Sequence, residues 1–71
     1  MKFNLNKLKG LMKEKNLTQE DIAKFLNISK STFNLKLNSN AYFSQTEIYQ
    51  LGKLLGIPAE QYLDYFFTLL V

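Results

Sequence analysis

Four residues within one six-residue stretch carry side chains suited to a nucleic-acid base edge: Lys30, Ser31, Asn34 and Leu35. Lysine donates to guanine O6 and N7, and asparagine pairs with adenine through two hydrogen bonds. On a helical wheel Leu35 shares the face of Ser31, where an exposed leucine can touch a thymine methyl. The chain has no arginine, so any guanine reading falls to lysine or to amides. Upstream, Thr18 and Gln19 stand at an expected helix start, where free peptide N–H groups and the helix dipole suit a phosphate. Downstream, Lys36 is a candidate backbone contact. Asn38, Asn40 and Ser44 are candidates for clasping a phosphate on the far side.

Other chemistry is poorly supplied. There is no histidine and no cysteine, which removes the usual general base and the usual soft metal ligands. The paired carboxylates, Glu20 with Asp21 and Glu60 with Asp64, sit near expected helix starts, where acids complement the dipole. Gly10, Gly52 and Gly56 form no phosphate-cradling loop. No enzyme activity, metal or cofactor is expected. Charge is unevenly spread. Residues 1–38 hold eight lysines against three acids (+5), and residues 39–71 hold one lysine against three acids (−2). A basic front half faces a polyanion more readily than the acidic back half does.

The elements that position these side chains are announced by repeated helix-start grammar. A hydroxyl or amide cap is preceded by an apolar residue and followed by an apolar partner four positions inside. Thr18 has Leu17 and Ile22; Ser29 has Ile28 and Phe33; Ser44 has Phe43 and Ile48, with Asp21 and Glu47 closing capping boxes. Asn4 offers a looser version with Phe3 and Leu8, and Pro58 suits the first turn of a last helix. Asn16 follows Lys13 and Lys15, charges that favour a helix C-terminus, and Asn27 and Gly56 stand where left-handed residues end helices. The pattern predicts an all-α domain, 1–71, of five short helices near 5–15, 18–26, 29–38, 45–55 and 58–67. The expected core stripes are Leu5, Leu8 and Met12; Ile22, Phe25 and Leu26; Phe33 and Leu37; Ile48, Leu51 and Leu55; and Tyr62, Leu63 and Phe66.

Only Asn27 and Ile28 separate the second helix from the cap of the third. So short a connection forces a sharp angle and holds the second helix of the pair out toward a major groove. Residues 19–38 resemble the helix-turn-helix of phage Cro and repressor proteins. The carrying residues are Thr18, Gln19, Glu20, Ala23, Ile28, Ser29, Ser31 and Thr32, the Xre-type pattern. The stretches 7–10, 35–38, 47–48, 54–58 and 65–67 are similar to a Cro-like family from prophages of low-GC bacteria. Two positions depart from the pattern: Asn27 replaces the usual turn glycine, and Lys36 replaces an apolar residue.

The resemblance implies a lambda-repressor-like domain. It implies a transcriptional regulator that binds double-stranded operator DNA through residues 29–38 and reads bases from Lys30, Ser31, Asn34 and Leu35. It also implies that Gln19 grips the backbone. A different reading is an antirepressor or modulator of repression that binds a phage repressor protein instead. One such unit covers half a site, so a homodimer or a heteromer with a repressor is expected. The apolar tail, Tyr65, Phe66, Phe67, Leu69, Leu70 and Val71, is the expected interface. The scattered lysines of residues 1–12 are unlike a signal peptide, and no apolar run approaches the ~20 residues of a membrane span. A cytoplasmic protein is expected.

Overall fold

The computed structural model describes residues 2–70. They form α1 (Asn6–Glu14), α2 (Gln19–Leu26), α3 (Lys30–Leu37), α4 (Gln45–Leu55), a single 3-10 turn (Ala59–Gln61) and α5 (Tyr62–Phe66). Three hydroxyls start three of the helices. Thr18 Oγ1 accepts from Asp21 N–H at 3.1 Å, and the Asp21 carboxylate accepts from Thr18 N–H at 2.9 Å. Ser44 and Glu47 repeat this reciprocal box at α4, at 3.1 and 2.8 Å. Ser29 Oγ accepts from Thr32 N–H at 3.0 Å. Each cap satisfies donors that the helix itself cannot, and replacing one with alanine costs about 1 kcal/mol.

The four longer helices end alike. Asn16, Asn27, Ser39 and Gly56 have φ of 58°, 59°, 58° and 69°. In each case the next residue reaches back to the helix: Leu17 N–H to Met12 C=O, Ile28 to Ala23, Asn40 to Leu35 and Ile57 to Gly52. These are Schellman closures. Leu17 and Ile28 serve twice. Each finishes one closure and also precedes the cap of the following helix, and each packs against the core. That double use is why three residues suffice to turn the chain between α2 and α3. Asparagine tolerates the left-handed region better than most residues, so the missing turn glycine costs little here.

Two helix starts differ from expectation. Leu5 takes the cap position of α1, and its side chain caps nothing. Asn4 lies one residue too early, and its Oδ1 accepts from Asn6 N–H at 3.0 Å in a local Asx turn. The last helix is not continuous over 58–67. Pro58 leads into the 3-10 turn before five α-helical residues.

Leu8, Ile22, Phe33, Leu51 and Leu55 form the centre of one core that draws on the first four helices, with Phe66 added from α5. Ala23 is 3% exposed, a small residue packed inside the core on α2. Two expected core residues are outside: Phe25 is 48% exposed and Leu63 is 72% exposed. In α2 the cluster is closed by Ile22, Ala23 and Leu26, and Phe25 falls just beyond the Ile22 edge of that arc. Gly52 is explained by its neighbour, because the Tyr62 ring lies where a side chain would stand.

The tail folds back. Asn4 N–H donates to Thr68 C=O at 2.7 Å and Leu70 N–H to Lys2 C=O at 3.0 Å. They flank one antiparallel bridge between Phe3 and Leu69. Phe3 stands edge-on to Phe67, with centroids 5.6 Å apart. No strand longer than this bridge occurs among the described residues.

Candidate nucleic-acid interface

α3 divides its side chains cleanly. Phe33 and Leu37 are buried, and Lys30, Ser31, Asn34 and Leu35 are exposed on the outer side. Those four, with Gln19 from α2, line one shallow concavity. Thr18, Gln19, Glu20 and Lys30 line an adjoining one. The first turn of α2 and the outer face of α3 therefore form one continuous polar surface. Leu35 is 48% exposed within it and plays no part in the core.

The amides on this surface are linked. Asn34 Nδ2 donates to Gln19 Oε1 at 3.2 Å, and Asn38 Nδ2 donates to Asn34 Oδ1 at 3.2 Å and to Asn34 C=O at 3.0 Å. At the far end Lys9 Nζ donates to Asn38 Oδ1 at 3.3 Å, and Lys2 Nζ donates to Asn40 Oδ1. Lys2 and Lys9 thus join Asn38 and Asn40 beside the end of α3. Composition placed positive charge in the front half of the chain. It could not show that lysines 38 and 29 positions from their partners converge here. Asp21 lies in the first turn of α2. The Thr18 N–H bond, with help from the Thr18 hydroxyl, holds its carboxyl below the usual aspartate value.

Two assignments are corrected. Lys36 is not a free cation: its Nζ donates to both oxygens of Glu47, at 2.6 and 2.7 Å. Both side chains are largely covered, at 14% and 12% exposure. Burial pushes the Glu47 carboxyl up, but the hydrogen bonds from Lys36 and from Ser44 N–H outweigh it and hold the carboxyl below its usual value. Where the Xre-type pattern has an apolar residue, this chain has one half of an ion pair. Ser44 Oγ caps α4, as Thr18 Oγ1 caps α2. Phe66, assigned to the tail interface, is 3% exposed and belongs to the core, where it meets the Phe43 and Tyr62 rings.

The remaining tail residues divide. Tyr65 packs partly against the core with Lys7 Nζ 4.7 Å from its ring centroid. Phe67, Leu69 and Leu70 are exposed, and Val71 lies outside the described residues. Near Phe67, an apolar groove of about 270 Å³ opens between the chain ends and the α3–α4 loop. It is lined by Phe3, Tyr42, Phe43, Ile48, Phe66 and Phe67 among others. Among the described residues no group of histidine, cysteine, aspartate or glutamate could hold a metal ion. Nor does any helix have the length and apolarity to cross a membrane.

The fold and this surface define a class: a small all-α domain in which α2 and α3 form a helix-turn-helix with a polar outer face. Over residues 1–69 the chain matches the family described as "Protein of unknown function (DUF739)", and it belongs to that family. No curated protein matches it.

Proposed function

We propose that the chain is a Cro-like transcriptional regulator of phage or prophage type. It binds double-stranded operator DNA through the outer face of α3, without a cofactor, in the cytoplasm of a bacterial host. The observation that carries the reading is the division of α3. Phe33 and Leu37 hold it to the core while Lys30, Ser31, Asn34 and Leu35 gather with Gln19 in one open concavity. Base edges are met by Lys30, Ser31, Asn34 and Leu35. The backbone is met by Thr18 and Gln19 at the start of α2, and by Asn38 and Asn40 with the neighbouring Lys9 and Lys2. A single unit reads half a site, so a second copy binds beside the first. Exposed Phe67, Leu69 and Leu70 are the apolar surface that supports a homodimer.

The same exposed tail and the apolar groove favour a second reading, in which the chain modulates repression by binding a repressor protein. Titrating the chain against duplex DNA from its own upstream intergenic region, with random duplex as control, separates the two. Regulator binding is salt-sensitive and prefers the upstream duplex. Equal affinity for both duplexes, or a flat salt response, supports the protein-binding reading.

A further inference from the structure

The geometry points to a hydrogen-bond relay, Lys9–Asn38–Asn34–Gln19, that fixes which way the reading amides face and makes Asn34 an adenine reader. This rests on the DNA-binding reading above. A primary amide can turn over and exchange its donor and acceptor ends, so an exposed asparagine alone offers no fixed order. Asn38 cannot turn over here. On one side its Oδ1 accepts from Lys9 Nζ, a group with donors only. On the other its Nδ2 donates to the Asn34 backbone carbonyl, a group with acceptors only.

Each later member inherits that polarity. Asn38 presents Nδ2 to Asn34, so Asn34 must present Oδ1 in return, as it does. Asn34 Nδ2 then faces Gln19 and donates to its Oε1. Gln19 keeps its whole NH2 group outside the relay, able to donate to a phosphate. Asn34 keeps one acceptor site on Oδ1 and one N–H on Nδ2. That pair, in fixed order, matches adenine N6–H and N7 in the major groove. Guanine presents two acceptors there and would leave Oδ1 without a donor. Asn38 is therefore a positioning residue for specificity. Lys9 acts through it and need not touch a base.

The test has two arms, on Asn38→Ala and, should that variant unfold, Asn38→Ser. In the free protein, side-chain amide NMR signals of Asn34 and Gln19 are compared with wild type. Gln19 has no contact with Asn38, so a structural cap role would leave its signals in place, and the relay moves both. In the second arm, a random duplex pool is selected with wild-type chain, and the enriched site is tested base pair by base pair. The expected result is one adenine preferred over guanine by about tenfold or more in wild type, as a good bidentate pair gives. In the variant that preference falls below about threefold, and the salt slope is unchanged because no charge is lost. Gln19 signals that stay put, or full adenine preference in the variant, overturn the relay. A pool in which wild type enriches no sequence overturns the DNA-binding reading itself, while the NMR arm still decides the relay.

Discussion

Gly10→Ala and Gly52→Ala are the same chemical change in two helix interiors, and the structure requires opposite outcomes. Alanine is favoured over glycine in a helix by about 1 kcal/mol, through lost backbone freedom in the unfolded chain. At Gly10 a new methyl meets nothing within 4 Å, so that gain is kept. At Gly52 the methyl would overlap the Tyr62 hydroxyl and its ring carbons. The ring has to leave, and its tilted contact with Phe66 at 5.8 Å goes with it. Overpacking costs about 1–3 kcal/mol and a lost aromatic pair about 0.5–1.5 kcal/mol, so the propensity gain is overcome. The expected net loss is about 1–3 kcal/mol. Urea and thermal unfolding followed by circular dichroism measure both variants. In a domain of this size each 1 kcal/mol moves Tm by about 4–8 °C. Gly10→Ala should raise Tm and Gly52→Ala should lower it. In a Tyr62→Ala background Gly52→Ala should turn stabilising, which isolates the pairwise conflict. If Gly52→Ala raises Tm as Gly10→Ala does, the Tyr62 ring does not lie over Gly52 and the account of that glycine fails.

Three further perturbations test other parts of the structure. Glu47→Ala should cost about 2–3 kcal/mol, because it strips a largely covered Lys36 of its partner and opens the α4 capping box; urea unfolding measures it. The Glu47 carboxyl titrates lower folded than unfolded. Its contribution is therefore fully present above the unfolded value of about 4.3 and is lost as pH falls through the lower folded one. Acid unfolding of wild type should be steeper than that of Glu47→Gln in this window, and matching curves would remove the ion pair from the explanation. Asn27→Gly should be close to neutral and Asn27→Ala should cost about 1 kcal/mol, since φ is 59° there. On DNA, Lys2 and Lys9 are the cations the proposed reading sets against the backbone. At about −0.9 per phosphate the slope of log affinity against log salt should be about −4 for two copies and about −2 for one. Asn34→Ala should cost about 1–3 kcal/mol on the selected site and little on random duplex.

What was legible in the sequence was what is decided within four or five residues. Thr18, Ser29 and Ser44 cap the helices they were expected to cap, because a cap and its apolar staple need only local spacing. Asn16, Asn27 and Gly56 end helices because their backbone freedom is intrinsic. Ser39 was missed for the complementary reason. Serine has no strong taste for positive φ, and it is secured by a bond from Phe3 N–H to its Oγ, 36 positions away. The misassignment of Lys36 has the same origin, since a lysine on a presumed recognition helix looks free until Glu47 arrives from α4. Phe25 and Leu63 show the limit of stripes on short helices. Two turns give too few positions to fix which edge of an apolar arc faces inward. The outer residues of α3 were placed correctly on one face, but the lysines that join them across the fold were not foreseen.

The way α3 is held bears on how such a surface can change. Two buried side chains, Phe33 and Leu37, anchor the helix. Its ends are closed by Ser29 at the start and by the Ser39 closure at the finish. None of these anchors belongs to the outer set. Lys30, Ser31 and Leu35 make no contribution to the core, so on the proposed DNA-binding reading exchanging them should move base preference with little effect on stability. Asn34 is different. It sits within the amide chain between α1, α3 and α2, so a change there alters the orientation of Gln19 as well as the base it meets. On the proposed reading, recognition would be modular at three positions and coupled at the fourth. A variant with new specificity is most easily reached through Lys30, Ser31 and Leu35, while replacements at Asn34 need a compensating change at Gln19 or Asn38.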